Sequence, residues 1–109
     1  MEAPDERSLE LYEQVLAELR LLQPEIVSKK MFGMPSLTIA GKPFAGLSGE
    51  DMIFKLGGEA LERALALPGA KPFTPMGRPM KAWVQVPPKS SELWPALAEE
   101  ALQNHLASH

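Results

Sequence analysis

The chain has 109 residues, of which 45% are hydrophobic and 23% charged, and it contains no cysteine. This length and composition fit one globular domain with a single core, and they exclude a disordered or fibrous protein. The lack of cysteine excludes disulfides, thiolate nucleophiles and cysteine-ligated zinc. The acidic N-terminus lacks the apolar run of a signal peptide, and no segment approaches about 18 uncharged apolar residues. We therefore expect a cytoplasmic protein with no membrane partner.

The net charge of −3 is unevenly distributed along the chain. Residues 1–28 hold seven acids and two bases, residues 29–81 hold eight bases and four acids, and residues 82–109 hold three acids and one base. The predicted strands are therefore basic and the flanking helices acidic. Such a separation can give one face of a sheet a positive potential that attracts an anionic partner, unless the acidic helices neutralise it.

The first predicted element is an amphipathic helix over residues 6–22. Asp5 or Ser8 can cap its start, and Pro24 ends it because the proline ring disfavours helical geometry at the preceding residue. Six apolar residues recur with the helical period and are expected to face the core: Leu9, Tyr12, Val15, Leu16, Leu19 and Leu22.

Four short strands are predicted next, and their close spacing requires antiparallel pairing because parallel crossovers need longer connections. They cover residues 30–32, 35–40, 44–48 and 52–56. Between the second and third, Gly41-Lys42 has the composition of a type II′ turn. Alternation then places Phe44 and Gly46 on one face of the sheet.

In the fourth strand, alternation places Met52, Phe54 and Leu56 on one face and Ile53 and Lys55 on the other. A short helix is predicted between Gly57-Gly58 and Pro68-Gly69, with its apolar side facing inward. The inward residues of that helix are Leu61, Ala64 and Leu65.

The last third of the chain is predicted to contain a loop, a strand and a helix. Three prolines and one glycine make residues 71–79 a stiff loop. Residues 80–86 alternate as a strand, with Trp83 on the face of Lys81. Ser90 or Ser91 caps the helix. The residues of that helix expected to be buried are Trp94, Leu97, Ala98, Ala101, Leu102 and Leu106.

This order predicts an α+β fold in a single domain over residues 1–109. The expected architecture is an antiparallel sheet of four to five strands, with the N-terminal, short middle and C-terminal helices packed mainly on one face. The opposite face is expected to stay open.

The most function-like cluster in the sequence is Arg78, Met80, Lys81 and Trp83. A guanidinium, an ammonium and an indole displayed together can hold an anion or stack on a base. Alternatively, Trp83 packs under a helix or against Trp94, while Arg78 and Lys81 pair with helix carboxylates or remain as solvated surface.

Other candidate chemistry is sparse. The only histidines are His105 and His109, so no Ser, His and acid combination can be assembled, and neither histidine has a further metal ligand at suitable spacing. We therefore expect no enzyme, no catalytic or metal-binding residues and no cofactor.

Five methionines concentrate in the sheet region, where they can fill core gaps or form an adaptable binding surface. They are Met31, Met34, Met52, Met76 and Met80.

Three motifs carry a family resemblance: KMFGMP at 30–35, IAGKPFA at 39–45 and FTPMGRPMKAW at 73–83. Their order and spacing resemble the N-terminal domain of TfoX/Sxy proteins, which include regulators of natural competence in bacteria. The resemblance implies an α+β fold related to YjbR-like domains and a cytoplasmic bacterial protein. It supplies no catalytic residue. The family's regulators carry a second, helical domain, which we expect this chain to lack.

Three functions remain open from the sequence. The first is a non-enzymatic regulatory or protein-interaction module whose partner is another protein, and a homodimer is left open. The second is nucleic-acid binding, which the acidic pI and the lack of a basic recognition helix disfavour. The third is a pocket for an anionic small ligand. An exposed Trp83 beside an unpaired Arg78 would favour the second or third function, and a buried Trp83 would favour the first.

Overall fold

The computed structural model describes residues 5–31 and 33–107, without the side chain of Met76. The helices and strands follow in the order α1 (Glu6–Leu22), β1 (Val27–Met31), β2 (Met34–Ile39), β3 (Lys42–Ser48), β4 (Asp51–Lys55), α2 (Gly58–Leu65), β5 (Lys71–Pro72), β6 (Trp83–Val86) and α3 (Trp94–Ala107). Two 3₁₀ helices, Pro75–Gly77 and Pro88–Leu93, lie in the later connections.

The strands within the described residues form one antiparallel sheet in the order β1-β2-β3-β4-β6-β5. The three helices share one hydrophobic core with this sheet. The α+β prediction is therefore confirmed, with six strands instead of four to five. The additional strand is β5, which was predicted as loop. Its Pro72 pairs at the edge of the sheet, where a missing N–H group is tolerated.

Helix α1 has the predicted bounds, and Asp5 is its N-cap, accepting a hydrogen bond from the Ser8 backbone N–H at 3.1 Å. The Ser8 hydroxyl instead donates to the carbonyl oxygen of Glu50 at 2.7 Å, which ties the start of the helix to the β3–β4 turn. Leu22 was predicted to face the core, but it is 58% exposed. It lies in the last helical turn, beside a groove at the start of α3.

The core between the sheet and the helices contains large side chains with no solvent exposure, among them Phe54, Phe44 and Trp94. Met52, Phe54 and Leu56 all enter it, as the alternation of β4 predicted. Leu65 and Leu106, which were expected to be buried, are each more than a third exposed. In α3 the buried position next to Leu106 belongs to His105.

A bulge between β2 and β3 changes the face of Phe44. Leu37 pairs with Ala45 and Thr38 with Pro43, so Phe44 is an extra residue between two pairs. A bulge of this kind lets two successive side chains point the same way. Phe44 therefore joins Ala45 in the helix-side core, and the prediction that it shares the face of Gly46 is wrong.

The β2–β3 turn also differs from the prediction. Its central residues are Ala40 and Gly41, with φ angles of 53° and 79°, and Ile39 pairs with Lys42 across them. Positive φ at both positions defines a type I′ turn, so the predicted Gly41-Lys42 turn of type II′ is one residue out of place. Alanine is an unusual residue in this conformation, which is why its sequence did not indicate the turn.

Replacing Ala40 by asparagine should stabilise the protein by about 0.5 to 1 kcal/mol. Asparagine tolerates positive φ better than alanine, and Asn-Gly is the preferred pair for a type I′ turn. Urea unfolding followed by circular dichroism would measure the gain. Ala40→Val is the matched control and should be destabilising, because a β-branched side chain is strained at positive φ. Equal stabilities for the two variants would contradict the turn assignment.

Several other boundaries differ from the predictions. β1 begins at Val27, three residues earlier than expected, and Phe32 lies outside the described residues. β6 begins at Trp83 because Ala82 has a φ of 72°, which is incompatible with a strand. Ser90 and Ser91 lie inside the second 3₁₀ helix rather than at a cap.

No helix in the described segments combines the length and apolarity needed to cross a membrane.

Tyr12 connects α1 to the edge strand β1 through a hydrogen bond of 2.8 Å between its hydroxyl and that of Ser28. Burial raises the pKa of Tyr12 from 10.0 to about 12, with a smaller raising effect from Glu13 and a lowering effect from the Ser28 hydrogen bond. The folded state therefore favours the neutral phenol.

The stability contributed by neutral Tyr12 should be fully present below pH 10 and be lost between pH 10 and 12. The loss should reach about 2 to 3 kcal/mol, since each pKa unit corresponds to about 1.4 kcal/mol. Because this is the only tyrosine in the chain, Tyr12→Phe is a clean control. Between pH 10 and 12, the free energy of unfolding of the wild type should fall by this amount relative to that of Tyr12→Phe. If the free energies of unfolding of the two proteins change in parallel with pH, the raised pKa of Tyr12 would be contradicted.

Candidate functional site

The register of the strands shows which residues lie on the side of the sheet opposite the helices, because directly paired residues share a face. Ile53 pairs with Gly46 and with Gln85. Ile53 and Trp83 form a second, smaller hydrophobic cluster with Phe73, and Met34 packs against it. Phe73 belongs to the connection between β5 and β6. We call this side of the sheet the loop face.

The loop face was expected to be open, and it is partly covered by residues 73–82. The backbone N–H of Phe73 donates to the carbonyl oxygen of Trp83 at 3.1 Å, and that of Met80 donates to the oxygen of Phe73 at 2.8 Å. The rings of Phe73 and Trp83 lie 6.4 Å apart at 53°. The loop therefore has a defined conformation, held by its own hydrogen bonds and by its aromatic contact with the sheet.

Trp83 is only 8% exposed, so its indole is part of the floor beneath the loop. The two packing partners suggested for it from the sequence are both wrong. Trp94 belongs to the core on the helix side of the sheet, whereas Trp83 packs with Phe73 and Ile53 on the other side. A stacking surface for a base is therefore not available at Trp83 in this structure.

Arg78 and Lys81 occupy the exposed part of the same loop. Within residues 5–31 and 33–107, neither side chain makes an ion pair, so the predicted pairing with helix carboxylates is not seen. Met80 lies between them and is 39% exposed. Along the chain, the loop thus carries one exposed cation on each side of the exposed thioether of Met80.

A small pocket of about 40 Å³ opens beside Met80. Its walls are almost entirely apolar: Met31, Met34, Ser36, Pro43, Ile53, Phe73, Met80 and Trp83. Since one water molecule needs roughly 10 to 15 Å³ of such cavity space, this pocket fits the end of an apolar side chain and is too small for a nucleotide. The three methionines in its wall can adjust their rotamers to different occupants.

Strand lysines add to the positive charge of the loop face. Lys29 pairs with Ser36, Lys55 with Trp83 and Lys71 with Gln85, which places all three on this side. The acid among the described strand residues of this face is Asp51, which accepts a hydrogen bond of 2.7 Å from Gln85. The sequence alone does not assign these lysines to the site, because their common face depends on the strand register.

A family model for the TfoX N-terminal domain matches residues 16–104. The chain belongs to the TfoX N-terminal domain family. The match confirms the resemblance drawn from the three sequence motifs, all of which lie inside the matched segment. No curated protein and no solved structure matches the chain.

The matched segment of this TfoX N-terminal domain contains every part of the loop face. The motif at 30–35 contributes Met31 and Met34 to the pocket, the motif at 39–45 contributes Pro43, and the motif at 73–83 contributes the covering loop. The three motifs, which are distant in sequence, therefore meet at one surface.

His105 lies away from the loop face. His105 is buried in the helix-side core of the TfoX N-terminal domain, with its ring centroid 5.6 Å from that of Phe44. His109 lies outside the described residues. Within the part of the chain that is described, no three histidine, aspartate or glutamate side chains are grouped closely enough to hold a metal ion.

Proposed function

We propose that this TfoX N-terminal domain is a non-enzymatic regulatory module that binds another protein through the loop face. The partner supplies an acidic segment with an apolar side chain that enters the methionine-lined pocket. The observation that carries the proposal is that Met80, which lines the pocket, is flanked in the chain by Arg78 and Lys81, both exposed and without ion pairs among the described residues.

The small volume of the pocket supports a protein partner rather than a small-molecule ligand. Small-molecule sites typically enclose several hundred Å³, about ten times the volume available here. A space of this size accommodates one side chain of a longer segment, whose remaining residues would lie on the exposed loop. Exposed Met80 and half-buried Met31 and Met34 suit such a contact because thioethers adapt to different neighbours.

Nucleic acid is the second candidate, and the lysines of the loop face are the observation that favours it. Proteins that bind single-stranded nucleic acid without sequence preference use aromatic side chains on which the bases stack. Trp83 and Phe73, the aromatic residues of this face within the described part of the chain, are each less than a tenth exposed. Phosphate attraction alone would therefore have to supply the affinity, in a protein with a pI of about 5.4.

Selection from a random peptide display library tests the proposal. The wild-type domain should enrich peptides in which Asp or Glu flank a Leu, Met or Phe, and their affinity should weaken as salt rises. A single-stranded oligonucleotide of mixed sequence should bind more weakly than the selected peptides. Failure to enrich such acidic peptides, or tighter binding of the oligonucleotide, would contradict a protein partner at this face.

A further inference from the structure

The helix side of the molecule has its own exposed apolar surface, at the end of α1. Leu21 is 85% and Leu22 58% exposed, although both belong to the last turn of a regular helix. They border a groove of about 450 Å³ between this turn and the start of α3. Val15 and Leu19 form its wall on α1, and Pro95 and Ala96 form its wall on α3. We call this surface the helix groove.

The apolar surface continues across Ala96 into a second groove, between α3 and α2. This neighbouring depression has a volume of about 240 Å³. Leu93, which is 40% exposed, and Leu67 lie in its wall. The small side chain of Ala96 is common to both grooves and leaves them connected.

The charged residues around the helix groove are acids. Glu18 from α1 and Glu99 from α3 line it, and among the described residues neither makes an ion pair. Glu100, at the neighbouring depression, does pair with Arg63 at 2.9 Å. The helix groove therefore combines exposed leucines with two carboxylates that make no ion pair among the described residues.

We propose that the helix groove binds an amphipathic helix of a partner protein, with apolar residues on one face and Lys or Arg beside them. The groove lies between two helices and presents no strand edge, so an added strand would find no ladder of main-chain groups to extend. A third helix can instead place its side-chain ridge between α1 and α3. Lysines or arginines flanking that ridge would meet Glu18 and Glu99.

The charge of the groove argues against a second copy of this chain as the occupant. In a symmetric dimer the same patch meets itself, so Glu18 and Glu99 of one protomer would approach those of the other. Like charges brought together in this way cost free energy. The helix groove is also separate from the loop face, on the opposite side of the sheet and of opposite charge, so this inference does not depend on the proposed function.

The test begins with a display library of helix-forming peptides with randomised surface positions, selected on the wild-type domain. Selected peptides should be basic and carry apolar residues at helical spacing. Nuclear magnetic resonance of the isotope-labelled domain, titrated with the peptide that binds most tightly, should show chemical-shift changes concentrated at the end of α1 and the start of α3. Shifts on the loop face, or peptides without basic residues, would overturn the proposal.

Charge reversal then separates groove binding from general attraction to an acidic protein. Glu18→Lys/Glu99→Lys should weaken binding of the selected peptide by about tenfold or more at low salt. Glu13→Lys/Glu62→Lys changes the net charge equally at exposed positions outside the groove, and it should retain most of the affinity. An equal loss of affinity for the peptide in the two double variants would overturn the proposal that the peptide binds in the helix groove.

Two further measurements exclude the other occupants. Sedimentation of the wild-type chain should give the monomer mass of 11.9 kDa, whereas a dimer that dissociates in Leu21→Ser/Leu22→Ser would identify a second copy as the occupant and overturn the proposal. Arg78→Ala/Lys81→Ala should bind the selected basic peptide as wild type does. Loss of binding in that variant would place the peptide on the loop face.

Discussion

Replacing Phe54 by alanine is expected to lower the free energy of unfolding by about 3 to 5 kcal/mol. Phe54 has no solvent exposure and lies in β4 between two neighbouring strands, where it pairs with Ala45 of β3 and Val84 of β6. Truncation would remove the ring from the centre of the helix-side core and leave a cavity that neighbouring strands cannot close without shifting. Since small domains are stable by only about 5 to 15 kcal/mol, the variant should be close to unfolding at room temperature.

Urea unfolding of a matched set would check this expectation. Leu97→Ala should cost about 2 to 4 kcal/mol, because Leu97 is 7% exposed. Leu16→Ala should cost less, because Leu16 lies at the margin of the core and is only half-buried. Leu21→Ala, at 85% exposure, should change stability by less than about 0.5 kcal/mol. A Phe54→Ala protein as stable as Leu21→Ala would contradict the assignment of the β4 faces.

The second large effect is expected in binding rather than in stability. Arg78→Ala/Lys81→Ala should weaken binding of an acidic peptide selected on the loop face by about 10- to 100-fold. Each lost charged hydrogen bond is worth about 1.5 kcal/mol or more, and this cost is realised only if both cations contact the partner. The melting temperature should stay within about 1 to 2 °C of the wild-type value, because exposed charges contribute little to folding.

Lys42→Ala/Lys89→Ala is the control for net charge, because both lysines are exposed and neither lines the pocket of the loop face. That variant should keep most of the affinity and should show the same dependence on salt as the wild type. If Arg78→Ala/Lys81→Ala melts several degrees earlier and still binds the peptide, the two cations have a structural role, and the loop face is not the binding surface.

The order of the elements and most of the core could be predicted from the sequence. Helix α1 has the expected ends because Asp5 and Pro24 are local signals that act within one turn of the chain. The faces of Met52, Phe54 and Ile53 followed from strict alternation, which holds wherever a strand has no bulge. The cluster at Arg78, Met80 and Lys81 was chosen from residue types alone.

What the sequence could not indicate depends on contacts between distant segments. Phe44 turned to the helix side because its pairing with β2 contains an extra residue, and a bulge in one strand is defined only by its partner. Lys71 and Pro72 form a strand only because β6 supplies an edge to which they can pair.

For this TfoX N-terminal domain, local signals along the chain determined the order of most elements, the ends of α1 and the family to which it belongs. They also determined which residues repeat on each face wherever a strand has no bulge. Tertiary structure decided how those faces are used. The loop from 73 to 82 folds back over the sheet and buries Trp83, which the sequence placed in an exposed cluster. It also brings Met80, which lies between Arg78 and Lys81 in the chain, to the same pocket as Met31 and Met34 from the distant β1–β2 hairpin. The physical reason is that periodicity specifies which side of an element is apolar, whereas only packing specifies what covers that side.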